Sequence, residues 1–298
     1  MIVPSSEFGV RSENQIQRTD RGVALIIVLL VTALLIALIF EFAYGTRISL
    51  RAAVNFRNSQ RAYYLARSGV NFVGRYLAGN LKTDPATGKD HQYEKLEQPE
   101  WQTVPFMPGN DAELRVRWED EAGKLKIADV QTNPFRQTML NLLFENKGID
   151  RTVLDKMTDN NSGINKLGLL TGLHRYMSDE DYSKVNNFVT LSQVDKININ
   201  TASPEVLQSI GISAGAAGLI IEARNKAPFT DHAKVSEFSG INNTFLPTTT
   251  LQAANFLTET SNVFKVYSYA TVGGYTKQVE AVITRSTSGF TVQYWRAL

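Results

Sequence analysis

The sequence predicts an α+β chain: a long amino-terminal helix that crosses a membrane and then packs on a small antiparallel sheet, which a large helical insertion splits. Three observations predict it. Residues 23–40 form an almost wholly apolar run, the last forty residues alternate in strand fashion around two turns, and the pattern between the β regions is mostly helical.

In the run from Val23 to Phe40 only Thr32 is polar. Eighteen residues make about 27 Å of helix, close to the roughly 30 Å hydrocarbon core. A cleavable secretory signal has a shorter apolar stretch ending in small residues. Here Phe40-Glu41-Phe42-Ala43-Tyr44 follows, so a membrane-spanning helix is favoured over a signal or a buried core helix. Helical periodicity continues beyond the run. Ile48, Ala52, Phe56, Ser59, Tyr63, Ala66, Val70, Val73 and Leu77 recur at steps of three and four, with six Arg on the other flank and no Pro. One helix can therefore extend from Val23 to Leu77. Four Arg between residues 47 and 61 follow the run, and by the positive-inside rule alone they would place the later residues in the cytoplasm.

The first β signal is Leu114, Val116 and Trp118 alternating with charged residues, then a turn at Gly123 and the short run Leu125–Ile127. The last is a meander. Phe264 to Val272 alternates, Gly273-Gly274 makes a hairpin turn, Tyr275 to Ile283 alternates again, and Ser286–Gly289 turns into Phe290, Val292 and Tyr294. Between these regions, residues 167–191 and 203–224 each read as helix, short hairpin, helix. Ser203 and Pro204 supply an N-cap and a first-turn proline.

Net charge is +2, from 31 basic and 29 acidic residues, so nothing in bulk charge points to nucleic acid. Without Cys there are no disulfides and no thiolate metal sites. The hairpin Gly211–Ala217 carries no base, and the first hairpin unit carries Asp179, Glu180 and Asp181, which repel phosphate. Gly211-Ile212-Ser213-Ala214-Gly215 matches G-x-S-x-G, yet a helix precedes Ser213 where a nucleophile elbow needs a strand. His91, His174 and His232 have no ligand spacing. No enzyme chemistry is expected.

Arg21-Gly22 followed by Val23-Ala24-Leu25-Ile26-Ile27 resembles the leader junction of type IV pilins and pseudopilins. With "AYYLARSGV" (62–70), "EDEAGKLKIADV" (119–130) and "ININTASPEVLQSIGISAGAAGLIIEARNKAPF" (197–229), the chain is similar to the type II secretion minor pseudopilin K family. The resemblance implies a leader (1–22) cut between Gly22 and Val23 by a prepilin peptidase, with N-methylation of the new terminus. It implies a membrane helix and its continuation (23–79), a sheet domain in two parts (80–128 and 262–298) and a helical insertion (129–261).

The family's usual Glu at the fifth mature position is replaced by Ile27, as is typical of the K member, and this suits a filament tip. The expected function is to initiate and cap a pseudopilus for protein export across the outer membrane. Other minor pseudopilins, the major pseudopilin, the peptidase and the inner membrane are the partners, with the folded part in the periplasm. Ile48, Phe56, Tyr63, Val70 and Val73 are the expected subunit contact. Calcium is a family property, for which Asp155, Asp159 and Asn161 are the weak candidates beside Asn160 and Gly163. The alternative function is a membrane-anchored helix-hairpin-helix DNA receptor.

Overall fold

The computed structural model describes residues 16–79, 81, 98–105, 111–159, 162–231 and 256–298. The chain divides into two compact units, Met1–Asn58 and Ser59–Leu298. Helix α1 (Ile16–Gly79) runs through both without a break. In the first unit the apolar side chains from Val23 to Phe42 are open. Thr32 and Thr46 turn their hydroxyls back onto the carbonyls of Leu29 (2.9 Å) and Phe42 (2.8 Å). Thr32, the one polar group in the run, is thus satisfied within its own helix, as hydrocarbon requires.

The second unit begins with the last turns of α1 and continues through β1 (Gln98–Thr103), β2 (Ala112–Asp120), β3 (Leu125–Lys126), α2 (Pro134–Asn146) and α3 (Arg151–Thr158). Then come α4 (Asp179–Val185), β4 (Val189–Thr190), β5 (Ile197–Asn198), α5 (Pro204–Ser209) and α6 (Ala214–Lys226). Strands β6 (Leu257–Thr258), β7 (Val263–Val272), β8 (Tyr275–Ser286) and β9 (Gly289–Ala297) complete it. Five strands form one antiparallel sheet in the order β1-β2-β7-β8-β9. The first strand of the carboxy-terminal meander thus pairs with β2 across the whole insertion.

Alternation builds this sheet. Leu114 and Val116 of β2, Phe264 and Val266 of β7, and Ala281 and Ile283 of β8 face α1 and bury against Ala66, Val70, Val73 and Leu77. The opposite face carries most of the charged residues, among them Arg117, Glu119, Lys265 and Glu280, whereas Asp120 and Arg285 share the inward face. Gly273 and Gly274 have φ of 54° and 81°, the paired left-handed values that a two-residue hairpin needs.

The insertion has its own apolar core, in which Leu143, Phe144, Ile164, Ile199, Val206 and Ile220 are buried together. Leu125 and Ile127 belong to that core, and β3 pairs in parallel with β4. The short run after Gly123, expected to continue the first β region, therefore departs from the main sheet and opens the insertion. Residues 170–175, expected as the first helix of a hairpin unit, are a 3-10 segment instead. Gly168 and Gly172 at this point weaken α-helix. The second hairpin unit stands as expected: α5 and α6 are capped by Ser203 and Ser213, whose hydroxyls accept from the Val206 and Ala216 amides.

Candidate functional site

The apolar stripe on α1 divides between the two units. In the first, Ile48 and Phe56 are 50% and 69% exposed. In the second, Tyr63 is partly buried, its ring edge-on to Trp295 at 6.0 Å. Val70 and Val73 are buried to 1% and 0% in the chain's own helix–sheet core. The subunit contact expected at Val70 and Val73 is thus corrected: the sheet already covers them. Ile48 and Phe56 remain open to a partner.

Two glycines let α1 lie this close to the sheet. A Cβ on Gly69 would collide with the Ser268 hydroxyl and stand 3.0 Å from both Leu114 Cδ1 and Val116 Cγ1. On Gly74 it would come within 2.6–2.7 Å of the Phe290 ring. The "AYYLARSGV" stretch therefore has a packing reason at Gly69.

A buried polar knot joins sheet to insertion, and the sequence did not mark it as a site. Asp120 ends β2 fully enclosed. Its Oδ1 accepts from the Ala122 amide at 2.8 Å. Its Oδ2 accepts from Asn198 (3.0 Å), Thr201 (2.6 Å) and Ser261. Those donors come from the middle of the insertion and from its exit, so one carboxylate ties two distant segments to the end of β2. Burial pushes the Asp120 pKa up; the donors oppose it, and burial wins. For the adjacent Glu121, burial also raises the pKa, but the Lys124 charge and the Thr190 hydroxyl outweigh it and the net shift is down. Lys124 bridges Glu121 at 2.8 Å and Glu119 at 2.9 Å.

Arg285 completes the knot. Its side chain is buried, with Nε donating to the Ser261 carbonyl at 2.8 Å and Nη1 to the Leu77 carbonyl at 3.0 Å. Burial lowers its pKa to about 10 despite the nearby Asp120 charge. The one signal in the sequence was parity, since Arg285 continues the inward positions Ala281 and Ile283.

The hairpin between α5 and α6 offers phosphate little. Arg224 donates to the Ile199 and Ala202 carbonyls at 2.8 and 2.6 Å, and Lys226 pairs with Glu222 at 2.8 Å. Ser213 spends its hydroxyl on the α6 cap, and α5 precedes it, so no nucleophile elbow forms. His174 Nδ1 lies 2.8 Å from Asp179 and its ring stacks on Tyr182. His91 and His232 lie outside the described residues.

A cleft of about 450 Å³ separates the outer sheet face from the insertion and is lined by Arg117, Glu119, Lys265, Tyr267 and Glu280 among others. Its charges are committed to one another, Arg117 with Glu119 at 3.3 Å and Lys265 with Glu280 at 3.1 Å.

Asp155 and Asp159 lie one turn apart at the end of α3, and Asn160 and Asn161 lie outside the described residues. Gln131 Nε2 donates to the Asp159 carbonyl, and the Tyr176 hydroxyl to the Ser162 carbonyl. Among the described residues there is no group of three acidic or His side chains able to hold a metal. Two carboxylates and carbonyls already engaged by neutral donors do not make the six to eight oxygens calcium takes. The described residues of this loop do not by themselves make a calcium cage.

Residues 197–253 match the family model "Type II secretion system (T2SS), protein K". The chain is 25% identical over 258 residues to the type II secretion system protein K of Pseudomonas aeruginosa, covering 72% of this chain and 75% of that protein. Its fold matches a chain of the GspK-GspI-GspJ complex of enterotoxigenic Escherichia coli with a TM-score of 0.67 at 13% identity. That match covers 83% of this chain and 99% of the other. Among the described residues one helix, near the amino terminus, is long and apolar enough to span a membrane; with the antiparallel sheet that follows it in the chain, the protein is similar in sequence and in fold to type II secretion protein K.

Proposed function

We propose that this chain is a minor pseudopilin of the type II secretion protein K family and occupies the tip of the pseudopilus, initiating and capping it with minor pseudopilins of the kind found beside GspK in the GspK-GspI-GspJ complex. The observation that carries the reading is the open end of the α1 stripe. Ile48 and Phe56 belong to the same periodic stripe as the buried Val70 and Val73, and they are 50% and 69% exposed. Helices of partner subunits would cover them, at roughly 1.5–3 kcal/mol for each large side chain fully buried. The prepilin peptidase removes residues 1–22, Val23 becomes the methylated terminus, and the unit from Ser59 onward lies in the periplasm. There the filament, built mainly of the major pseudopilin, works in export.

Co-purification of the chain with two candidate minor pseudopilins tests the assembly. Phe56→Asp should abolish capture while the melting of the Ser59–Leu298 unit stays unchanged; undiminished capture overturns the contact. Intact mass of the membrane-extracted protein tests the leader, which is wrong if the mature chain begins elsewhere than Val23. Reporter fusions at Leu298 test the side of the membrane, with alkaline phosphatase activity expected and a fluorescent cytoplasmic reporter fatal to it.

A further inference from the structure

The arginines that follow the membrane run oppose a periplasmic unit by simple charge counting, and assembly leaves them unexplained. Between Val23 and Gly79 there are six Arg, no Lys and one carboxylate, Glu41. Arg47 and Arg51 are exposed, and no carboxylate lies within five residues of either. No helical i,i+3 or i,i+4 ion pair can therefore neutralise them.

Their place on α1 is specific. At 100° per residue, Phe40, Tyr44, Arg47 and Arg51 fall within an arc of about 60°, a single stripe along the helix. Phe40 and Tyr44 are exposed at the end of the apolar run, and Tyr44 is the kind of amphipathic ring that sits at the membrane–water boundary. Arg47 follows Phe40 by about 10 Å and Arg51 by about 16 Å. The headgroup layer beyond the hydrocarbon is some 5–8 Å thick; the Arg47 side chain is long enough to reach back into it, and the Arg51 charge, one turn further on, comes within about a Debye length of its surface. Arg57 stands about 25 Å past Phe40 and on another face, out of reach. Guanidinium also suits phosphate better than ammonium does, because its fork engages two oxygens at once.

We infer that Arg47 and Arg51, below the aromatic pair Phe40 and Tyr44, form a binding surface for the phosphate of anionic phospholipid headgroups. The surface holds the unassembled subunit at a fixed depth and rotation in the bilayer. It acts on whichever leaflet the run emerges from, so the arginines anchor the chain without having to set its direction. The inference rests on residues 23–40 spanning the membrane and is independent of which side the Ser59–Leu298 unit occupies.

The full chain reconstituted in phosphatidylcholine vesicles tests it, with spin-labelled phosphatidylglycerol or phosphatidylcholine as the probe. The fraction of probe motionally restricted by protein should favour phosphatidylglycerol about five-fold or more, the effect of at least one basic side chain at an anionic surface. Arg47→Gln with Arg51→Gln should bring that ratio to about one, whereas Arg57→Gln with Arg75→Gln should leave it intact. Equal association of the two lipids with the wild-type chain overturns the surface, as does equal loss in both double variants. If inorganic phosphate abolishes the preference while sodium chloride of matched ionic strength does not, the site takes free phosphate and the lipid assignment fails. Orientation does not enter any of these readouts, so a failed topology reporter and a failed lipid preference remain separate results.

Discussion

Arg285 Nη1 donates to the carbonyl of Leu77 at 3.0 Å, so a side chain near the end of β8 holds the last turn of α1. Helix carboxy-termini leave carbonyls without partners and carry partial negative charge, and a guanidinium answers both needs. The same side chain binds the Ser261 carbonyl, and Ser261 in turn donates to Asp120. Arg285→Ala should cost about 3 kcal/mol, because it strands two buried carbonyls and leaves Asp120 without the nearby charge. Thermal unfolding of the detergent-solubilised chain measures it. Arg285→Lys should recover only part of the loss, since an ammonium lacks the fork that reaches both carbonyls.

Asp120 and Glu121 are neighbours in the chain whose contributions to stability run oppositely with pH. Asp120 has its pKa raised in the folded state, so its contribution is full below the ordinary value near 3.8 and is lost as pH rises through the folded value. Glu121 has its pKa lowered, so its contribution is present above the ordinary value near 4.5 and is lost as pH falls through the folded value. The stability difference between wild type and Asp120→Asn should therefore shrink with rising pH from about 4 upward. The difference between wild type and Glu121→Gln should shrink with falling pH below about 4.5. Urea unfolding of the three proteins across this range decides it; parallel slopes would show that the two carboxylates share one environment.

Gly69→Ala places a methyl group where the Ser268 hydroxyl and the Leu114 and Val116 side chains already sit. Overpacking of this kind costs about 1–3 kcal/mol, against the smaller gain Ala normally brings to a helix. Gly218→Ala in α6 has no heavy atom within 4 Å of the new Cβ and should stabilise the same unit by roughly 0.5–1 kcal/mol. Melting temperatures of the two variants should move in opposite directions. A rise in both would mean that α1 can stand off the sheet without loss.

Which parts of this were legible follows from how each part carries its information. The membrane run and the meander were readable because periodicity over ten or more residues is itself the signal. Strand β1 escaped, because Gln98–Thr103 contains Pro99 and a single large apolar residue, Trp101, and owes its form to pairing with β2. Two-residue strands such as β3 and β5 are too short for any alternation to show. The knot at Asp120 was hidden for another reason. Asn198, Thr201 and Ser261 each look like ordinary turn residues, and only the fold brings them to one carboxylate 78 to 141 positions away. Gly69 lay inside a stretch that carried the family resemblance, but its need for a missing Cβ appears only when the sheet is beside it.

Ile27 carries the last prediction. It stands in the apolar run, 56% exposed, where pilin relatives usually have Glu at the fifth mature position. Ile27→Glu puts a carboxylate at hydrocarbon depth, costing a few kcal/mol unless a cation reaches it. In an interior subunit the free amine of a neighbour can serve; a subunit with nothing above it has no such neighbour. The variant should therefore assemble poorly at the tip or compete for interior positions, and export in cells carrying only this variant should fall well below wild type. Wild-type export, with the protein still confined to filament ends, would show that the missing carboxylate does not set its place. The tip position would then have to rest on another feature, such as the bulk of the insertion.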